Sequence, residues 1–81
     1  MKTPRDISGA VLVTSLEKAG FTVTRQTGSH VRLEFETEGN RRHLTVPLSK
    51  PLKIGTFNAI LKDICQTMGI SKEELYALLG W

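Results

Sequence analysis

The sequence predicts a two-layer α+β domain, and three observations lead to that prediction. Two segments, residues 8–19 and 57–68, carry apolar side chains at helical spacing, whereas the stretch between them alternates apolar and polar residues. With 81 residues, the chain can build one hydrophobic core and has no room for a second. Helices with one apolar stripe and strands with one apolar face are both satisfied when helices cover one side of a sheet. We therefore expect a single domain over residues 1–81.

The first helix is expected to begin after Ser8, whose hydroxyl can accept a hydrogen bond from a free amide of the first turn. Ile7 before this cap and Leu12 after it form the apolar pair that often accompanies such a start. Gly20 suits the left-handed conformation that ends many helices. The apolar face of this helix is predicted to comprise Val11, Leu12, Leu16 and Ala19.

Three antiparallel strands are expected next, over residues 21–26, 30–36 and 41–47. In the first strand, Phe21 and Val23 alternate with threonines, so one of its faces is predicted to be buried. Gly28 and Gly39 mark the two turns, and Pro47 ends the third strand because proline has no amide to donate. Strand parity assigns to the uncovered face of the sheet His30, Arg32, Glu34, His43 and Thr45.

The long second helix is expected to end at Gly69, with Gly55 or Thr56 as its amino-terminal cap. A short third helix is predicted after Ser71, because Glu74 three residues later completes a capping box. Trp81 is expected to be a packing or crystal-contact residue and not a platform for base stacking. The apolar face of the third helix is predicted to comprise Leu75, Leu78 and Leu79.

The charged residues are unevenly distributed. The formal charge is +3, and residues 39–62 contain five lysines and arginines without any aspartate or glutamate. Acidic residues lie instead at Glu34, Glu36 and Glu38 and near the carboxyl end. Such a basic segment suits a polyanion such as nucleic acid, although an ordinary solvated surface explains the charge equally well.

The number of cysteines and the first ten residues indicate the cellular location of the protein and whether it holds a disulfide or a metal. Cys65 is the only cysteine, so we expect no disulfide and a buried thiol in a reducing compartment. The start "MKTPRDISGA" lacks the apolar run of a signal peptide, so the cytoplasm is the expected location. His30, His43 and Cys65 have neither the spacing nor the number of ligands of a zinc site.

The segments "LEKAGFTVTRQTGSHVRLEF" and "RRHLTVPLSKPLKIGTFNAILKDICQTMGISKEEL" resemble the HicA-type toxins of bacterial toxin–antitoxin systems. The resemblance covers about residues 8–75. Its most specific parts are the Gly-Phe pair after the first helix, the Gly-Ser-His motif, the Val-Pro pair that closes strand three and the Lys-x-Gly-Thr stretch before the long helix. It implies an α-β-β-β-α fold like that of double-stranded-RNA-binding domains, here extended by a short carboxyl-terminal helix.

The resemblance also implies a function. The family cleaves messenger RNA as an endoribonuclease, the histidine of the Gly-Ser-His motif is catalytic, and a HicB-type antitoxin blocks the active surface. In this sequence that histidine is His30, and no metal or other cofactor is expected. An imidazole is well suited to exchange protons near neutral pH, and RNA supplies its own nucleophile in the ribose 2′-hydroxyl.

Candidate substrate-binding residues follow from the residues themselves. Gly28 leaves room for a backbone to approach, and Ser29 either donates to a phosphate oxygen or only completes the turn. Lys53 lies at the amino end of the long helix, where free amides favour anions. Arg25 and Arg32 are further phosphate contacts, alongside Lys50 and Lys62.

The chain departs from the family pattern at positions where many members carry a further histidine. Val31 follows the motif histidine, and Leu48 and Ser49 follow the Val-Pro pair. Two schemes therefore stay open: His30 acts alone with a lysine stabilising charge, or His43 contributes. Two other functions also stay open, a non-catalytic RNA-binding module of the same fold and a protein-interaction domain that uses the open sheet face.

Overall fold

The computed structural model describes residues 7–37 and 39–81 of the chain, so the predictions on the first six residues and on Glu38 concern positions outside this range. Within it, three helices and three strands follow in the order α-β-β-β-α-α, as predicted. The elements are α1 (Gly9–Lys18), β1 (Thr22–Thr27), β2 (His30–Thr37), β3 (Asn40–Pro47), α2 (Ile54–Met68) and α3 (Lys72–Leu79).

The three strands form one antiparallel sheet in the order β1-β2-β3, so β1 and β3 are its edges. Alternate residues of β2 and β3 are buried, and these side chains join the helices in one apolar cluster. The opposite face of the sheet is exposed, which confirms the predicted two-layer α+β architecture. The sheet contributes to the core Val31, Leu33, Leu44 and Val46.

Helix α1 begins as the sequence predicts. The hydroxyl of Ser8 accepts a hydrogen bond from the Val11 amide at 3.2 Å, and Ile7 and Leu12 are both buried. The prediction that Val11 lies on the apolar face is wrong, because its side chain is 51% exposed and Val13 takes the buried position.

The prediction of a buried face on β1 is also wrong, since every residue of this strand is exposed. As an edge strand, β1 has a neighbour on one side only, and Val23 remains 36% exposed. Phe21 precedes the strand and is buried, with its ring centroid 5.0 Å from that of Phe35.

The two carboxyl-terminal helices are capped differently. Helix α3 has the predicted capping box, because the Ser71 hydroxyl accepts from the Glu74 amide and the Glu74 carboxylate accepts from the Ser71 amide, each at 3.1 Å. Its apolar face uses Tyr76 instead of the predicted Leu78, which is exposed.

No helix in the described part of the chain is both long and apolar enough to cross a membrane.

The amino-terminal cap of α2 lies two residues before Gly55 and three before Thr56, the two predicted caps. This cap is Lys53, and no side chain accepts a hydrogen bond there, so the prediction of Gly55 or Thr56 as the cap is wrong. At the other end Gly69 adopts the left-handed conformation, with φ at 67°. Trp81 packs as expected against Phe57 and Tyr76.

Candidate active site

A two-residue turn places His30 at the start of β2. Thr27 pairs with His30 across the first hairpin, and Gly28 and Ser29 form the turn between them. Gly28 has a φ of 56°, in the region that such hairpin turns require at their first central position. A Cβ at this position would meet nothing within 4 Å. Glycine is therefore needed for the backbone conformation here, and not to relieve crowding within the chain.

Backbone contacts fix the strand end that carries His30. Pro47 of β3 is the register partner of His30, and the Leu48 amide donates to the Ser29 carbonyl at 2.6 Å. Just after β3, the Ser49 carbonyl accepts a hydrogen bond from the Gly9 amide of α1 at 2.9 Å. The start of α1, the end of β3 and the first hairpin turn are thus joined at one end of the sheet.

A shallow depression on the open sheet face surrounds the exposed His30. Its volume is about 250 Å³. The lining combines one imidazole, two guanidinium groups and two hydroxyls, a set that can exchange a proton and bind a phosphate. The lining residues are Arg25, Thr27, His30, Arg32 and Thr45. The structure thus brings together three of the predicted site residues, namely His30, Arg25 and Arg32.

A β-bulge determines on which face Arg25 lies. Val23 pairs with Leu33, but Arg25 pairs with Arg32, so Thr24 is an extra residue in β1. Strict alternation would put Arg25 on the core face with Val23, and the extra residue moves it to the open face. The Thr24 hydroxyl donates to the Arg32 carbonyl at 3.4 Å. Sequence reasoning missed this bulge, although an arginine on a face predicted to be buried is a signal of irregular pairing.

The other charges of the open face lie toward the second hairpin. Glu34 forms an ion pair with Arg41, with 3.4 Å between the carboxylate Oε1 and the guanidinium Nε. Glu34 is also the register partner of His43. Carboxylates therefore neutralise this half of the face, and the cations of this face that have no ion pair within residues 7–37 and 39–81 lie at the His30 end. His43 does not line the depression.

The remaining predicted contacts lie outside the depression. Gly28 and Ser29 form its neighbouring turn without lining it, and Lys53 is exposed at the start of α2. The first turn of α2 has no acidic residue and no side-chain cap, so its amides stay available to an anion. In the described residues, no cluster of three or more His, Cys, Asp or Glu side chains could hold a metal ion.

A second concave surface, absent from the sequence predictions, lies between β3 and α2. We call it the β3–α2 groove, and its volume is about 430 Å³. Thr45 lines both this groove and the depression around His30, so the two surfaces adjoin. No pattern within a single element indicates it, because its two walls come from different elements. It is lined by Leu44, Thr45, Pro47, Thr56, Ala59, Ile60 and Asp63.

Comparison with known proteins adds one match. The family model of the HicA toxin of bacterial toxin–antitoxin systems matches residues 9–64. This chain belongs to the HicA toxin family. The matched range begins with α1, includes the whole sheet and His30, and ends within α2. Searches of curated proteins and of solved structures find no significant match. As a HicA-family toxin, the chain has an antitoxin as its partner.

Proposed function

We propose that this HicA-family toxin is an endoribonuclease that cleaves messenger RNA, with His30 as its catalytic residue. The observation that carries the proposal is the position of His30 in one depression with Arg25 and Arg32. An imidazole beside two guanidinium groups suits a phosphodiester, whose cleavage needs one proton transfer and stabilisation of charge on the phosphate oxygens. All 81 residues are proposed to act as one HicA-like domain.

The proposed reaction uses the nucleophile that RNA already contains. His30 takes the proton of a ribose 2′-hydroxyl, the 2′-oxygen attacks phosphorus, and the bond from phosphorus to the 5′-oxygen breaks. Arg25 and Arg32 donate hydrogen bonds to the phosphate oxygens as negative charge develops there. Because His43 lies outside the depression, we assign charge stabilisation to these arginines and protonation of the leaving oxygen to water.

The proposed substrate contacts extend beyond the depression. Ser29 and Gly28 flank the scissile phosphate at the hairpin turn, and Lys53 with the uncapped amides of α2 binds a further phosphate. A HicB-type antitoxin is proposed to inhibit the enzyme in the cytoplasm. No metal or cofactor has a role in this scheme, since the 2′-hydroxyl and the imidazole supply its chemistry.

The test compares His30→Ala with His43→Ala as the matched control. We expect His30→Ala to remove growth arrest on induction and to slow RNA cleavage about 10²–10⁴-fold, because the general base is lost. His43→Ala should retain both activities, and circular dichroism should show that both variants are folded. A His30→Ala chain as toxic as the wild type would contradict the assignment.

The same assay separates the proposed enzyme from an RNA-binding module. A module would bind RNA with an affinity that falls steeply with salt, and it would leave transcripts intact in wild type and variant alike. Intact transcripts with the wild-type chain would therefore refute the nuclease activity itself.

A further inference from the structure

We infer that the antitoxin binds this chain by adding an extended strand to the outer edge of β3, with alternate side chains in the β3–α2 groove. The inference rests on the antitoxin partner of the proposed function and not on the proposed nuclease activity. It requires an open backbone edge, a groove beside that edge and a charge pattern that selects one kind of segment.

The backbone of β3 offers the open edge. In an antiparallel pair, the N–H and C=O groups of one residue point to the partner strand and those of the next residue point away. The Leu48 amide points to β2, since it donates to Ser29, and the pairing of β3 with β2 is regular from His30 to Thr37. The N–H and C=O groups of Arg41, His43 and Thr45 therefore point outward and are open, whereas the Pro47 carbonyl lies against Gly9 of α1. None of them makes a hydrogen bond outside the sheet in the described residues.

The two edge strands of the sheet differ in how well they could pair with an additional strand. The bulge at Thr24 interrupts β1, and bulges are a common protection of edge strands against further pairing. β3 has no such interruption. Pro47 lacks an N–H, but no hydrogen bond between β2 and β3 is lost because the Pro47 nitrogen points away from β2. A further strand could therefore pair with β3 in a regular register, but not with β1.

The wall of the groove opposite β3 is one stripe of α2. Thr56, Ala59, Ile60 and Asp63 recur at three- and four-residue spacing; the first three bring small or apolar side chains to face the strand, and Asp63 brings a carboxylate. A groove between an edge strand and a helix accepts an extended peptide, which gains affinity from backbone hydrogen bonds and specificity from alternate side chains. We therefore expect apolar side chains at every second position of the bound segment.

The positive charge of the open sheet face favours acidic residues on the side of the added strand that faces away from the groove. That face would continue the open face of the sheet, where Arg32 is exposed and has no ion pair in the described residues. The whole stretch of residues 39–62 carries no carboxylate of its own. Because Thr45 lines both surfaces, a strand at this edge would also lie beside the depression that holds His30. Binding at the edge would then restrict access of RNA to His30.

The first experiment fills the groove. The probe is the purified cognate antitoxin, titrated calorimetrically into wild type, Ala59→Trp and the control Asn58→Trp. Both positions are exposed on α2, but only Ala59 lines the groove. We expect Ala59→Trp to weaken binding about 30-fold or more and Asn58→Trp to change it less than about threefold. Equal affinity of Ala59→Trp and wild type would overturn the inference.

The second experiment uses only the wild-type chain and therefore does not depend on a folded variant. Amide exchange followed by NMR should show new protection at Arg41, His43 and Thr45 in the complex. Leu44 and Val46 should be protected already in the free chain, since their amides point to β2. Binding without protection at the outward amides would overturn the inference. So would an Ala59→Trp chain that binds antitoxin normally but loses single-stranded RNA, because the groove would then belong to the substrate.

Discussion

Replacing Gly9 by alanine tests the joint between α1 and the end of β3. A Cβ at position 9 would overlap the Pro47 carbonyl oxygen and lie 2.8 Å from the Leu48 Cα, whereas real Cβ contacts essentially never fall under 3.0 Å. Both neighbours are backbone atoms, so no side-chain rotation can relieve the overlap. One of the two segments has to move.

The expected cost follows from two opposing effects. Overpacking of this kind costs about 3 kcal/mol when backbone must shift. Alanine in place of glycine recovers about 1 kcal/mol of helix propensity. The net loss of about 2 kcal/mol lowers the melting temperature by about 8–16 °C for a domain of this size.

Gly55→Ala is the matched control. It lies in the first turn of α2, and a Cβ there would meet nothing within 4 Å. It should raise stability by about 0.4–1 kcal/mol, because alanine restricts the unfolded chain. Thermal unfolding followed by circular dichroism measures both variants. If Gly9→Ala melts at or above the wild-type temperature, the close approach of α1 to Pro47 is wrong.

Two further predictions concern α3 and the thiol. Ser71→Ala should lower the free energy of unfolding by about 0.5–2 kcal/mol, because a first-turn amide loses its acceptor, while the exposed Ser49→Ala should have no effect in the same denaturant titration. Burial raises the pKa of the Cys65 thiol, although Lys72 opposes the shift. The native chain should therefore hold less thiolate than its urea-unfolded form at pH 8, and iodoacetamide should alkylate it more slowly; equal rates in the two states would contradict the shift.

The sequence was sufficient for the elements whose signals are local. The caps at Ser8 and Ser71 and the stop at Gly69 depend on a few neighbouring residues, and all three are confirmed. The exposed position of His30 also followed from alternation along β2. Helical spacing alone did not fix which residues of a stripe reach the core, so Val11 and Leu78 were assigned to it wrongly.

The rest depended on how separate segments meet. The face of Arg25 is determined by the pairing of β1 with β2, because one unpaired residue reverses the alternation. The β3–α2 groove needs two elements at a particular separation, which no single pattern encodes. The cap of α2 at Lys53 uses no side-chain hydrogen bond and so leaves no signature in residue type.

The joint at the His30 end of the sheet has a consequence for how the protein acquires its site. The Gly9 amide meets the Ser49 carbonyl, and the Leu48 amide meets the Ser29 carbonyl, so the contacts close loops across most of the amino-terminal half of the chain. Contacts between residues this distant form late, because the entropy of loop closure must be offset first. A chain still emerging from the ribosome, or one that has lost α1 to a protease, therefore lacks this support for His30. The surface around His30 is thus completed only when the whole stretch from α1 to β3 has folded.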